Sequence, residues 1–138
     1  MSRRNQSKGK NKLFITVFFI LLLFLSYKVI GKRNKILDLN NKKISYVEII
    51  KFENNTMKTI NDKAKVKKII GSLNRISAEE VQKDTLESDS LDFINIYDKT
   101  FKRKEIARDG CFIRIDTKWY KMSKNGSDIF DSILKEYS

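Results

Sequence analysis

The run Leu13 to Ile30, LFITVFFILLLFLSYKVI, limits what this chain can become more than any other stretch. As a helix, its 18 residues cover about 27 Å, close to the ~30 Å hydrocarbon core of a bilayer. From Leu13 to Leu25 every residue except Thr16 is Leu, Ile, Val or Phe. Those side chains favour insertion by about 4–7 kcal/mol in total. A helix apolar on all sides belongs in a protein core or in lipid, and a chain of 138 residues offers no core large enough to surround it. The run therefore reads as a transmembrane anchor that uses the lipid bilayer as its partner. Lys28 sits near one end, where its stem can carry the ammonium to the headgroups.

Retention is the expectation. A signal-peptidase site needs small residues, and the first alanine is Ala64. Val29-Ile30-Gly31 is a poor substitute. The sole cysteine, Cys111, is too distant to be a lipidated residue following the run. Arg3, Arg4, Lys8, Lys10 and Lys12 precede the anchor, and Lys32, Arg33, Lys35, Lys42 and Lys43 follow it. The positive-inside count is thus a tie. A short basic tail resists crossing whereas a long domain translocates largely regardless of charge, so the N-terminus is expected in the cytoplasm and the C-terminal domain outside the cell. The divisions are a basic tail (1–12), the anchor (13–30), a polar stalk (31–43) and one small domain (44–138).

Charge distribution decides against nucleic acid. Residues 1–43 carry 11 Lys/Arg against Asp38 alone, while residues 44–138 carry 18 Lys/Arg against 16 acids. The excess flanks the membrane, where it suits anionic headgroups. The nearly neutral domain lacks the balance of a phosphate binder.

Within the domain, Ile44 to Phe52 is β-branched and aromatic, a strand. Glu53-Asn54-Asn55 supplies a turn, and Thr56 to Ile60 returns as its hairpin partner. Asp62 is placed to cap a helix whose Val66, Ile69, Ile70 and Leu73 fall on one stripe. Ser77 to Ser90 is polar and acidic, and reads as a loop or frayed turn. Short strands follow at Leu91 to Tyr97, Phe101 to Arg108, Cys111 to Ile115 and Trp119 to Met122. Asp109-Gly110 signals a type I′ hairpin. Ser127 would cap a last helix carrying Ile129, Phe130, Ile133, Leu134 and Tyr137. The expected fold is α+β, a transmembrane helix followed by β-β-α-β-β-β-β-α, with a mainly antiparallel sheet and both helices on one face.

The chain has no histidine, which removes Ser-His and Cys-His nucleophile pairs and the commonest metal ligand. One cysteine precludes an intramolecular disulfide and, without histidine, an ordinary zinc site. The glycines are too scattered for a phosphate loop. No catalytic, cofactor or metal residues are assigned, and the expectation is a non-enzyme. Cys111 shares a strand face with Ile113 and Ile115 and reads as core. The acids Glu79, Glu80, Asp84, Glu87, Asp89 and Asp92 match no calcium-loop spacing and read as a solvated loop.

The candidate contact surface is Lys102, Lys104, Arg108, Arg114, Trp119 and Tyr120. Lys102, Lys104 and Arg108 alternate onto one strand face, suited to lipid headgroups or an acidic polymer. The plainer reading is an edge or solvent-facing strand kept soluble by charge. Trp119 and Tyr120 point to opposite faces, one inward and one available for contact.

The basic tail, the single anchor, the strand hairpin, the helix led by INDKAKVKKIIGSLNRI and the late IRIDTKWYKM strand pair resemble small uncharacterised membrane-anchored extracytoplasmic proteins of low-GC Gram-positive bacteria. That resemblance covers roughly residues 44–138 and lends no active site to carry across; the expectation from the chain as a whole is an anchored module that binds a partner or a small ligand. A membrane-protein or envelope partner is expected. The rival classes are an immunity- or inhibitor-type factor concentrated by its anchor, and a hydrolase using carboxylates.

Overall fold

The computed structural model describes residues 6–33, 35–86 and 90–138, with side chains of the first segment described for residues 9–27. Arg3 and Arg4 of the basic tail and Glu87 and Asp89 of the acidic loop lie outside the described residues. The chain forms two units, one ending at Arg33 and the other comprising the rest.

The first unit is α1, Gln6–Arg33. Its segment Gly9–Tyr27 is long and apolar enough to cross a membrane, and none of it is buried. The two aliphatic hydroxyls in that segment, Thr16 and Ser26, are satisfied within the helix. Thr16 Oγ1 donates to the Lys12 carbonyl at 2.9 Å, and Ser26 Oγ to the Leu22 carbonyl at 2.8 Å. Helical backbone closes its own hydrogen bonds, so α1 presents no unsatisfied donor along the apolar stretch.

The second unit is α+β. Its strands are β1 Ile44–Lys51, β2 Thr56–Ile60, β3 Ala78–Val81, β4 Asp92–Asp98, β5 Arg103–Asp109, β6 Phe112–Ile115 and β7 Lys118–Met122. They form one sheet in the order β2-β1-β4-β5-β6-β7-β3, every neighbouring pair antiparallel. The two remaining helices are α2, Lys63–Leu73, and α3, Lys124–Tyr137. Alternation sends Val47 and Ile49 of β1, Ile94 and Ile96 of β4, Ile106 of β5, Ile113 and Ile115 of β6 and Met122 of β7 into one core. Val66, Ile69, Ile70 and Leu73 of α2 close it, together with Phe130, Ile133, Leu134 and Tyr137 of α3. Each fully buried Ile or Leu adds about 1.5–3 kcal/mol. Asp62 caps α2 as expected, its side chain accepting from the Lys65 amide at 2.9 Å.

Five expectations are corrected. The acidic Ser77–Ser90 stretch contains β3, which pairs with β7 at a sheet edge, so the domain has seven strands in the order β-β-α-β-β-β-β-β-α. Glu79 and Glu80 conceal the strand because they face Lys121 and Tyr120 across the ladder, where cross-strand charge favours pairing.

The 31–43 stalk is in part built into the domain. Leu37 is buried in the core, with Ile36 and Leu39 against it, and Lys35 bridges to Ser77. Asn74, at the end of α2, clamps the segment. Its Nδ2 donates to the Leu39 carbonyl and its Oδ1 accepts from the Leu39 amide, both at 2.8 Å.

The α3 cap is Ser123, whose hydroxyl accepts from the Gly126 amide at 3.0 Å; Ser127 lies inside the first turn. In the β5–β6 turn only Gly110 has positive φ (61°), which departs from the type I′ pattern. Asp109 and Phe112 are paired, leaving Cys111 in the turn beside Gly110, half-buried rather than buried, its carbonyl accepting from the Met122 amide at 2.9 Å.

Candidate functional site

β3 and β4 are not neighbours in the sheet. The chain leaving β3 through the described residues 82–86 has β7, β6 and β5 between it and β4. Lys83 shows which face it takes, because it meets Asp109, Phe112 and Trp119, whose register places them opposite the helices. Its ammonium lies 3.2 Å from Asp109 Oδ2, with side-chain exposures of 8% and 0%. It also stands 4.4 Å from the Phe112 ring centroid and 5.4 Å from that of Trp119. A desolvated ammonium between a carboxylate and two aromatic faces is a strong local tether, so this segment acts as a strap pinned across the sheet.

Next to the strap the same face is polar and aromatic. Arg114 reaches Glu105 Oε1 at 3.1 Å and stacks over Trp119 at 5.7 Å. Arg103 adds a contact to Glu105 Oε2 at 3.6 Å. On β1 and β4, Tyr46 and Tyr97 stack with centroids 4.5 Å apart, and the Tyr97 hydroxyl donates to Glu48 Oε2 at 2.9 Å. Burial, reinforced by the Glu48 carboxylate, pushes the Tyr97 hydroxyl above its ordinary value.

Glu48 and Glu105 flank Asn95 in register. Asn95 is only 4% exposed, and its Oδ1 has no hydrogen-bond partner, an unmet acceptor in a setting where one costs about 1–3 kcal/mol. The face thus offers stacked rings, bidentate-capable guanidinium and carboxylates held by neighbouring strands. Such groups recognise a partner by hydrogen bonding and stacking. Among the described residues, no group of three or more His, Cys, Asp or Glu side chains is placed to hold a metal ion.

The sequence-derived contact residues divide between the two faces. Arg114 and Trp119 come together on the open face. Lys104 and Arg108 lie on the helix side with Ile106: Lys104 pairs with Asp116 at 3.4 Å, and Arg108 pairs with Asp131 of α3 and covers the Phe130 ring. Their strand, β5, lies between β4 and β6, which replaces the edge-strand explanation of these charges with local ion pairing. Tyr120 is half-buried against the core. Lys102 precedes β5, exposed in the β4–β5 turn.

Sequence reasoning missed Glu48, Asn95, Tyr97 and Glu105, although the period-two alternation of polar and β-branched residues along β1 and β4 contained the signal. Nothing in the sequence distinguished Lys83 from the other lysines. No family model, curated protein or solved structure matches this chain.

Proposed function

We propose that this chain is a single-pass membrane protein, N-terminus in the cytoplasm, whose α+β domain lies outside the cell and binds a membrane-protein or envelope partner without catalysis. The observation that carries the reading is α1. It has 28 residues, its Gly9–Tyr27 segment is apolar enough to span and unburied, and its Thr16 and Ser26 hydroxyls bond within the helix, which is what lipid demands of a spanning segment. The open sheet face supports the binding role, since its Tyr46–Tyr97 stack and its Arg114–Trp119 pair are partly accessible and stand outside the core.

The test has two arms. In intact spheroplasts an added protease should degrade the domain while sparing an epitope at the N-terminus; protection of the domain until lysis would refute the orientation. Cross-linking in unchallenged cells should then capture a resident partner. Capture should be lost when Arg114→Glu and Tyr97→Ala are combined, and capture unchanged by that pair would remove the open face from the proposal.

A further inference from the structure

One end of the sheet carries a feature that neither the core nor the open face explains. The β4–β5 turn places Phe101 at φ 64° and leaves it 76% exposed. A bulky residue in the left-handed region is an outlier that glycine or asparagine would relieve. So exposed a ring adds little packing to the fold in return. Strain of this kind, held in place by its surroundings, is a mark of functional positions.

The surroundings do hold it. Asp98 Oδ1 accepts from the Thr100 amide (2.8 Å), the Thr100 hydroxyl (2.7 Å) and the Lys102 amide (3.0 Å). The Phe101 amide donates to the Asp98 carbonyl at 3.0 Å. The Lys99 amide donates to the Lys43 carbonyl at 3.1 Å, which brings the 3-10 turn Asn41–Lys43 alongside. Lys42, Lys43, Lys99 and Lys102 are all exposed. Among the described residues none of these four lysines forms an ion pair. The result is one exposed aromatic ring on a tip whose two adjoining turns carry four exposed lysines outside any ion pair among the described residues.

We propose that this tip docks on anionic phospholipid headgroups, with Phe101 at the boundary of headgroup and acyl chain and the four lysines on the phosphates. An apolar wedge among lysines is the chemistry of an interfacial lipid contact. A purely anionic polymer would use the lysines and leave the ring idle. The inference rests on the reading of Leu13 to Ile30 as a lipid-spanning anchor. Four residues separate Ile30 from Lys35, the first residue bridged into the domain, and the five steps between the two extend at most about 18 Å. Headgroups are therefore the anionic surface at highest local concentration.

The experiment uses the full-length chain in nanodiscs, carrying Cys111→Ser and an environment-sensitive NBD fluorophore on Lys99→Cys. Discs of phosphatidylcholine are compared with equimolar phosphatidylcholine and phosphatidylglycerol. In anionic discs the label should shift to the blue and become shielded from iodide, and high salt should reverse both changes. Each further lysine changed to Gln should lower the docked-to-undocked ratio about fivefold.

Phe101→Gly should abolish shielding while leaving the thermal melt of the domain intact or raised, which separates docking from folding. Identical shielding in both lipid compositions overturns the proposal. So does equal shielding of a label at Lys67→Cys on α2, or undiminished docking of Phe101→Gly. Failure of the protein to co-elute with any disc would overturn the anchor and, with it, the docking; co-elution without dependence on composition overturns docking alone.

Discussion

Lys83→Met removes the ammonium that pins the strap and retains most of its hydrocarbon. In the wild type that ammonium and Asp109 Oδ2 stand 3.2 Å apart, an attraction of about 5 kcal/mol at an effective dielectric of ~20, offset in part by the desolvation of both groups. Truncating one side of a buried pair leaves the other charge in low dielectric and costs about 3–5 kcal/mol. Methionine keeps a favourable sulfur contact with Phe112 and Trp119, so the lower end, about 3 kcal/mol, is expected. For a domain of this size that lowers Tm by roughly 12–24 °C.

The assay is guanidinium unfolding of the full-length protein in detergent micelles, followed by fluorescence. Trp119 is the only tryptophan in the chain, and it lies against Lys83, so the probe reads the strap itself. The midpoint should fall with little change in slope. Combining Lys83→Met with Asp109→Leu should return stability to within about 1 kcal/mol of wild type, because an apolar pair replaces an ionic one without leaving a lone charge. A loss below about 1 kcal/mol for Lys83→Met alone would refute the claim that this pair holds the strap.

Three other substitutions probe the rest of the fold. Gly126→Ala places a Cβ 2.9 Å from the Ser77 carbonyl oxygen and 3.2 Å from Ile76 Cγ2, so the start of α3 must shift, and a loss of about 1–3 kcal/mol is expected in the same unfolding assay. Val66→Asp buries an unpaired carboxylate in the core and should abolish the cooperative transition. Glu80→Ala removes only the exposed contact to Lys118 and should move the midpoint by less than about 1 kcal/mol. Asp98 is held below its ordinary value first by the Thr100 hydroxyl and then by the Lys102 amide. Its contribution is complete above the usual carboxylate range and lost as pH falls through the lowered folded value. Wild type should therefore lose more stability than Asp98→Asn as pH drops below about 4; parallel pH profiles would refute that role.

Elements whose apolar residues keep one period and whose ends carry their own caps could be read directly. The α2 stripe and its Asp62 cap, the β1–β2 hairpin and the buried face of α3 are of this kind. β3 could not, because AEEV owes its strand to β7, some forty residues later, and shows no alternation of its own. The Ile36–Leu39 packing was hidden by flanking lysines and asparagines, though its three apolar side chains carried a weak signal. On the candidate site, charge and aromaticity singled out Arg114 and Trp119, which the fold brings side by side. Lys104 and Arg108 do share a face with Ile106, but sequence shows a strand's alternation without showing which side the helices cover, so their pairing with Asp116 and Asp131 was not legible. The burial of Lys83 depends on where a connection crosses the sheet, and no local pattern encodes that.

The strand order also governs the sequence of events during synthesis. β1 pairs with β4, more than forty residues further along, and β3 waits for β7. A nascent chain emerging N-terminus first can close only the β1–β2 hairpin and α2 early on; the inner edge of β1 stays open until β4 appears, and β3 until β7 does. High contact order of this kind slows folding and prolongs the exposure of unpaired strands. The topology thus leaves the sheet incomplete until β7 has been made, and postpones closure of the β3 edge to that point.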